Sequence, residues 1–199
     1  MMTASRLDVV PSAVRLLGIS GSLRRGSYST MLLRHLAARL PAEVTLQVVT
    51  LEEVPLYDAD LDGANPPAGV AALKAAIAEA DGLVLCSPEY NYGMPGVLKN
   101  AIDWASRPAF ASPLKGKPSL VVTSSPGALG GVRAQAQVRD ALAATLARPL
   151  SRPHVAIPVI GSRFRDGELV DATALELLDG AVADLLQEVR LIRAATEAA

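Results

Sequence analysis

Apolar positions along the chain follow two periods. Short runs at 14–19, 44–49, 82–86, 117–123 and 154–157 have the length and turn-like flanks of strands. The run Gly82-Leu83-Val84-Leu85-Cys86 has no polar position at all, as expected of a strand buried on both faces. Between these runs, apolar residues recur at helical spacing. The first stripes are Leu32, Leu36 and Leu40, then Val70, Leu73 and Ile77, then Val97, Ala101 and Ala105 beside Leu98 and Ile102. Val138, Leu142 and Leu146 follow, and Leu175, Leu178, Val182, Leu185, Val189 and Ile192 make a final helix. Pro95 suits the first turn of the third helix, where a missing N–H costs nothing. Strands alternating with helices predict an α/β fold, a parallel sheet with right-handed crossovers.

Length and charge narrow this picture. With 199 residues the chain can build one substantial core, so a single domain over 1–199 is expected. Residues 1–13 read as a loose lead-in without the apolar stretch and cleavage site of a signal peptide. Charged residues interrupt every apolar run before it reaches the ~18 residues of a membrane span. Residues 52–67, rich in Pro, Asp and Gly, read as a long loop within the domain, and there is no internal repeat. Nineteen basic against twenty acidic side chains leave a net charge of −1, so no overall field favours nucleic acid or anionic lipid. A small ligand fits better. The single cysteine, Cys86, cannot form an intramolecular disulfide, which suits a reducing cytoplasm. It reads as a small buried hydrophobe. His35 and His154 have no second histidine or cysteine at metal-ligand spacing, and no metal is expected.

Three strand-to-helix loops carry candidate chemistry. Ligands of open parallel sheets bind at such loops, outside the carboxyl ends of the strands. The first, residues 20–29, is Ser-Gly-Ser-Leu-Arg-Arg-Gly-Ser-Tyr-Ser. Its hydroxyls and two guanidiniums precede a helix, whose N-terminus offers unpaired N–H groups and partial positive charge to an anion such as phosphate. A serine serving only as helix cap is the other reading of the same residues. The P-loop and the dinucleotide glycine motif are both excluded by spacing. The second loop follows the apolar strand: Ser87-Pro88-Glu89-Tyr90-Asn91-Tyr92-Gly93-Met94-Pro95. Its tyrosines look like a platform for a flat ligand. The third, residues 124–131, is Ser-Ser-Pro-Gly-Ala-Leu-Gly-Gly; it reads either as an ordinary glycine-rich turn or as backbone and hydroxyls brought close to a ligand.

The run from Ser87 to Trp104 closely resembles the signature of the NAD(P)H-dependent FMN reductase family, flavodoxin-like proteins that include bacterial quinone and chromate reductases. Gly-Ser-Leu-Arg at 21–24 with Gly-Ser-Tyr at 26–28 resembles the same family's FMN-phosphate loop, and residues 130–135 also resemble it. The resemblance spans about residues 16–146. It implies a doubly wound five-stranded sheet of order 2-1-3-4-5 with helices on both faces. It further implies phosphate contacts from Ser22, Arg24, Ser27, Tyr28 and Ser29, the last at a position where the family often has Asn. Pro88, Glu89, Tyr90 and Asn91 would cradle the ring, and Ser124, Ser125 and Gly127 would touch its edge. Arg133 and Gln135 suit subunit packing and stand outside the expected site. No acid, base or nucleophile constellation appears, and the resemblance implies none: bound FMN takes hydride from NAD(P)H and reduces a quinone, azo dye, chromate or free flavin. Family members are commonly dimers or tetramers. The rival reading is a flavodoxin-type electron carrier without NAD(P)H turnover, but such carriers are strongly acidic and this chain is near neutral. A fold relative that has lost flavin is a duller rival, opposed by the three intact loops.

Overall fold

The computed structural model describes residues 13–198. The lead-in expected over 1–13 lies, except for Ala13, outside the described residues. The chain runs β1 (Val14–Ser20), α1 (Tyr28–Arg39), β2 (Val44–Val49), α2 (Ala68–Glu79), β3 (Gly82–Pro88), α3 (Gly96–Ala105), β4 (Pro118–Ser124) and α4 (Val132–Ala144). Two short strands follow, β5 (Arg148–Pro149) and β6 (Val155–Ile157), then a hairpin of β7 (Phe164–Arg165) and β8 (Glu168–Leu169), and the long α5 (Ala172–Glu197). The sheet is parallel in the order β2-β1-β3-β4-β5, with β6 also on β4. This is the flavodoxin-like arrangement. No described helix is long and apolar enough to cross a membrane.

Alternation along each strand feeds two cores, because successive side chains point to opposite faces. Val14, Leu16, Val84, Cys86, Leu120 and Val122 pack with Leu32, Leu33 and Leu36 of α1 and with Leu178, Val182, Leu185 and Val189 of α5. Leu17, Ile19, Leu83, Leu85 and Val121 face the other way, onto Leu73 and Ile77 of α2, Leu98 and Ile102 of α3, and Val138 and Leu142 of α4. Both faces of the three central strands are therefore covered, which is why those strands read as continuous apolar runs.

Four expectations are corrected in detail. Leu40 sits just past α1 in an extended conformation (φ −67°, ψ 150°), because Pro41 disfavours a helical residue before it. Leu146 is not part of the α4 stripe: it lies beyond the helix at φ 64°, 43 % exposed. There it closes the end, Leu146 N–H bonding Ala143 O and Ala147 N–H bonding Leu142 O, the double bond pattern of a left-handed helix stop. The fifth strand, expected at 154–157, is split. β5 pairs with Pro118 and Ser119, β6 with residues 122–124, and the intervening chain, which includes the donor-less Pro153, leaves the ladder. Pro95 stands one residue earlier than expected, capping α3 from outside.

The 52–67 connector is a loop with one helical turn at Ala59–Leu61, and α3 holds it down. Asn100 accepts from Tyr57 N–H at 2.7 Å and donates to Pro55 O at 2.8 Å, where the Trp104 indole also donates at 2.8 Å. The β7–β8 hairpin rests on α1: Phe164 packs on Tyr28 at 5.5 Å between ring centres, and His35 Nδ1 lies 3.4 Å from Glu168.

Gly130 marks the tightest approach between the β4 loop and β6. It adopts φ +62°, and a Cβ there would lie 2.8 Å from the backbone of Ala156 and Ile157. Gly130→Ala should therefore cost about 1–3 kcal/mol or more from overpacking. Urea unfolding checks this; an unchanged midpoint would contradict the crowding.

Candidate active site: the carboxyl edge of the sheet

Register places three loops side by side. Ser20 lies opposite Cys86, Ser87 opposite Thr123, and Pro88 opposite Ser124, so the chain leaves β1, β3 and β4 at one edge. Gly21 N–H bonds Cys86 O at 2.8 Å. A Cβ on Gly21 would sit 3.1 Å from both Leu98 and Ser87 Oγ, so glycine lets the first loop lie this close to the second without displacing them.

The first loop delivers hydroxyls to the start of α1. Ser20 Oγ and Thr30 Oγ1 share a hydrogen bond of 2.8 Å that ties loop to helix. Ser27 occupies the cap position, but its side chain makes no capping bond. The first-turn N–H groups have no intrahelical partner, and Ser27, Tyr28 and Ser29 of this turn line the cavity beside it. Ser29 Oγ is buried without a hydrogen-bond partner, a cost a folded chain rarely accepts unless a ligand meets the group. The Arg24 guanidinium stands 5.4 Å from the centre of the Tyr28 ring, whose other neighbour is Phe164.

These groups surround a cavity of about 420 Å³, within the usual range for small-molecule sites. Ser22, Arg24, Ser27, Tyr28 and Ser29 line one side of it; Pro88, Tyr90 and Ser124 line the rest, together with Pro126 and Ile160. Ser22, Ser27, Ser29 and Ser124 are all buried. An uncapped helix start, an orphaned serine hydroxyl and a guanidinium fit a phosphate, while Pro88, Tyr90 and Ile160 offer flat and apolar surface for a ring. The donor set fits FMN.

The remaining expected residues stand nearby with different work to do. Glu89 turns its carboxylate to α4, accepting from the backbone N–H groups of Arg133 at 3.0 Å and Ala134 at 3.1 Å. It caps a helix whose own cap residue, Gly131, has no side chain. With Asn91 and Tyr92 it lines an adjoining cleft of about 520 Å³. Ser125 Oγ accepts from Gly127 N–H at 3.0 Å. The carbonyls of Ser125 and Gly127 accept from Ile160 and Val159, bracing the cavity wall. Ile160 reaches the site from beyond the last sheet strand, through a turn no spacing announces; Pro126 lay inside the third loop, with only its neighbours marked out.

Cys86 is buried, and burial pushes its thiol up to about 12; the neighbouring Ser29 hydroxyl, outside hydrogen-bond geometry, opposes this only weakly. It stays a neutral thiol. Among the described residues no group of three His, Cys, Asp or Glu side chains is placed to hold a metal. A second cleft, of about 280 Å³ between α3 and α4, has its hydroxyls Ser106 and Thr145 already bonded to Asp103 O and Leu142 O. Arg107 Nε in that cleft is buried without a partner, whereas the carboxyl edge joins the partnerless Ser29 hydroxyl to a helix start with no side-chain cap.

Residues 14–161 match the family model described as NADPH-dependent FMN reductase. An NAD(P)H-dependent FMN reductase of Pseudomonas aeruginosa is 39 % identical over 181 residues, covering 90 % of this chain and 97 % of that protein. A quinone reductase of Escherichia coli K12 is 40 % identical over 178 residues, 86 % of this chain and 94 % of the other. Among solved structures, the flavoenzyme NAD(P)H:(acceptor) oxidoreductase FerB of Paracoccus denitrificans superposes with a TM-score of 0.79 at 30 % identity, covering 89 % of this chain and 98 % of its own.

Charge-assisted hydrogen bonds to a phosphate are worth roughly 1.5–3 kcal/mol each. On that scale Arg24→Ala should weaken FMN affinity about ten- to a hundredfold. A flavin fluorescence titration measures it, and an unchanged dissociation constant would remove Arg24 from the phosphate site.

Proposed function

The chain belongs to the NADPH-dependent FMN reductase family, and from that premise we propose which of its residues carry an FMN-dependent NAD(P)H oxidoreductase activity toward quinone-type acceptors. The observation that carries this reading is the buried, unpartnered Ser29 Oγ beside the uncapped start of α1, inside a cavity that three loops close. FMN held there would supply the redox chemistry, accepting hydride from NADH or NADPH for delivery to the acceptor.

The protein's part is binding and placement. Ser22, Ser27, Ser29 and the first-turn N–H groups of α1 would bind the phosphate directionally, Arg24 would balance its charge, and Tyr28, steadied by Phe164, would wall the site. Pro88 and Tyr90 would present flat surface to the flavin ring, with Asn91 beside them in the adjoining cleft, and buried Ser124 would meet its polar edge. In this reading Glu89, Ser125 and Gly127 serve through the walls they hold, Glu89 by fixing α4, Ser125 by bracing Ile160 and Gly127 by bracing Val159 beside it. No side chain is asked to donate or abstract a proton, in keeping with the absence of an acid–base pair from the expected site.

The acceptor class rests on the relatives that are quinone reductases, among them a 2-hydroxy-1,4-benzoquinone reductase of Burkholderia 43 % identical over 131 residues. Ring stacking tolerates many flat shapes, so azo dyes, chromate or free flavin are further candidates. A pure electron carrier is disfavoured by a net charge of −1. We place the protein in the cytoplasm, supported by its one cysteine, buried and free. We also propose one domain and a homodimer or homotetramer, the latter supported by Phe110 at 74 % exposure beside Leu146 on the α3–α4 side.

Anaerobic mixing of the FMN-loaded protein with NADH and NADPH should bleach the bound-flavin absorbance, and added quinone should restore it with steady turnover. Bound flavin that neither nicotinamide reduces would point to an electron carrier and overturn this reading.

A further inference from the structure

The second loop contains a strained reversal. Tyr90 N–H bonds Gly93 O and Gly93 N–H bonds Tyr90 O, each at 3.0 Å, leaving Asn91 and Tyr92 as a two-residue turn. Both central residues have positive φ, 49° and 67°. This is the left-handed turn that Asn-Gly ordinarily fills. Asparagine tolerates it; a tyrosine there is unfavourable and persists only if its surroundings enforce it.

Helix α4 supplies that enforcement from one exposed face. The Arg133 guanidinium lies over the Tyr92 ring, 4.0 Å from its centre. Gln137, one helical turn on, accepts from Met94 N–H at 3.0 Å through Oε1. Its side chain also occupies the space a Cβ on Gly93 would need, 2.8 Å away. Glu89 fixes the start of the helix that carries both, its carboxylate accepting from the backbone N–H groups of Arg133 and Ala134. The first residue of the turn, Tyr90, is a wall of the cavity.

We infer that Arg133 and Gln137 are positioning residues: they hold the 90–93 turn in its left-handed form and thereby set the Tyr90 wall against the flavin. The inference rests on the reading of the cavity as the FMN site. Substitution at 133 removes only the contacts of the guanidinium, over the Tyr92 ring and to Glu89 Oε1 at 3.9 Å, because the bonds from the backbone N–H groups to Glu89 survive it, and the Tyr92→Asn background separates the first contact from the second.

The test is a set of FMN titrations on the wild type, Arg133→Ala, Arg133→Lys, Tyr92→Asn and the Arg133→Ala/Tyr92→Asn double variant, with melting temperatures alongside. Losing a cation–π clamp should raise the dissociation constant of Arg133→Ala about three- to tenfold, and Arg133→Lys, which keeps a cation over the ring, should recover most of it. Asparagine accepts a left-handed conformation, so with Asn at 92 the turn stands unaided and Arg133→Ala should have no further effect. Three results overturn the inference alone: wild-type affinity in Arg133→Ala, a loss confined to its melting temperature, or a loss that persists in full when Tyr92 is Asn. A wild type that binds no FMN overturns the cavity reading itself, and this inference with it.

Discussion

A parallel sheet sends the carboxyl end of every strand to the same edge, and the register of β1, β3 and β4 makes three loops meet there. Everything proposed for this chain depends on that constraint. It aims the start of α1 at the space above β3, where helix N–H groups have no intrahelical partner. It brings Gly21 against Cys86 O, and it puts Pro88 beside Ser124. The two cores on either face serve the same end, since a sheet clamped by α1 and α5 on one side and by α2, α3 and α4 on the other cannot slip in register without exposing an apolar row.

The edge is also where local rules of stability are set aside. Ser29 Oγ lacks a partner, Ser27 fails to cap the helix it precedes, and Tyr92 takes a backbone conformation that suits asparagine or glycine. Each is unfavourable for the free protein, and each is concentrated within one loop cluster. Neighbouring contacts compensate: the Ser20–Thr30 bond fixes the first loop, Glu89 caps α4, and Arg133 and Gln137 close on the turn. Local conflict supported from outside is the pattern expected of a preorganised site.

Much of this was legible in the chain. Leu32 and Leu36, Val70 and Ile77, and Leu178 and Leu185 face cores because helical spacing leaves them no other choice, and the unbroken run 82–86 is the central strand. Residue type in the hydroxyl-rich first loop left an anion site and a plain helix cap both open, the family resemblance favoured the former, and Ser27 makes no capping bond. Where the reading stopped short, a nonlocal or conformational term had intervened. Pro41 removed Leu40 from its helix, and a left-handed stop removed Leu146. Glu89 looked like a ligand residue because its partners, the N–H groups of Arg133 and Ala134, lie more than forty positions away. Ile160 had no signal: it joins the cavity only because β6 docks on β4 and the turn after it bonds back to Ser125 and Gly127.

The central claim is that the uncapped α1 start and its serines anchor the ligand through a phosphate. Parallel fluorescence titrations with FMN and with riboflavin, the same ring without the phosphate, test it most directly. Several charge-assisted hydrogen bonds are present in one case and missing in the other, so FMN should bind tighter by about a hundredfold or more. Equal affinities would contradict the account, because the first loop would then have no part in holding the cofactor.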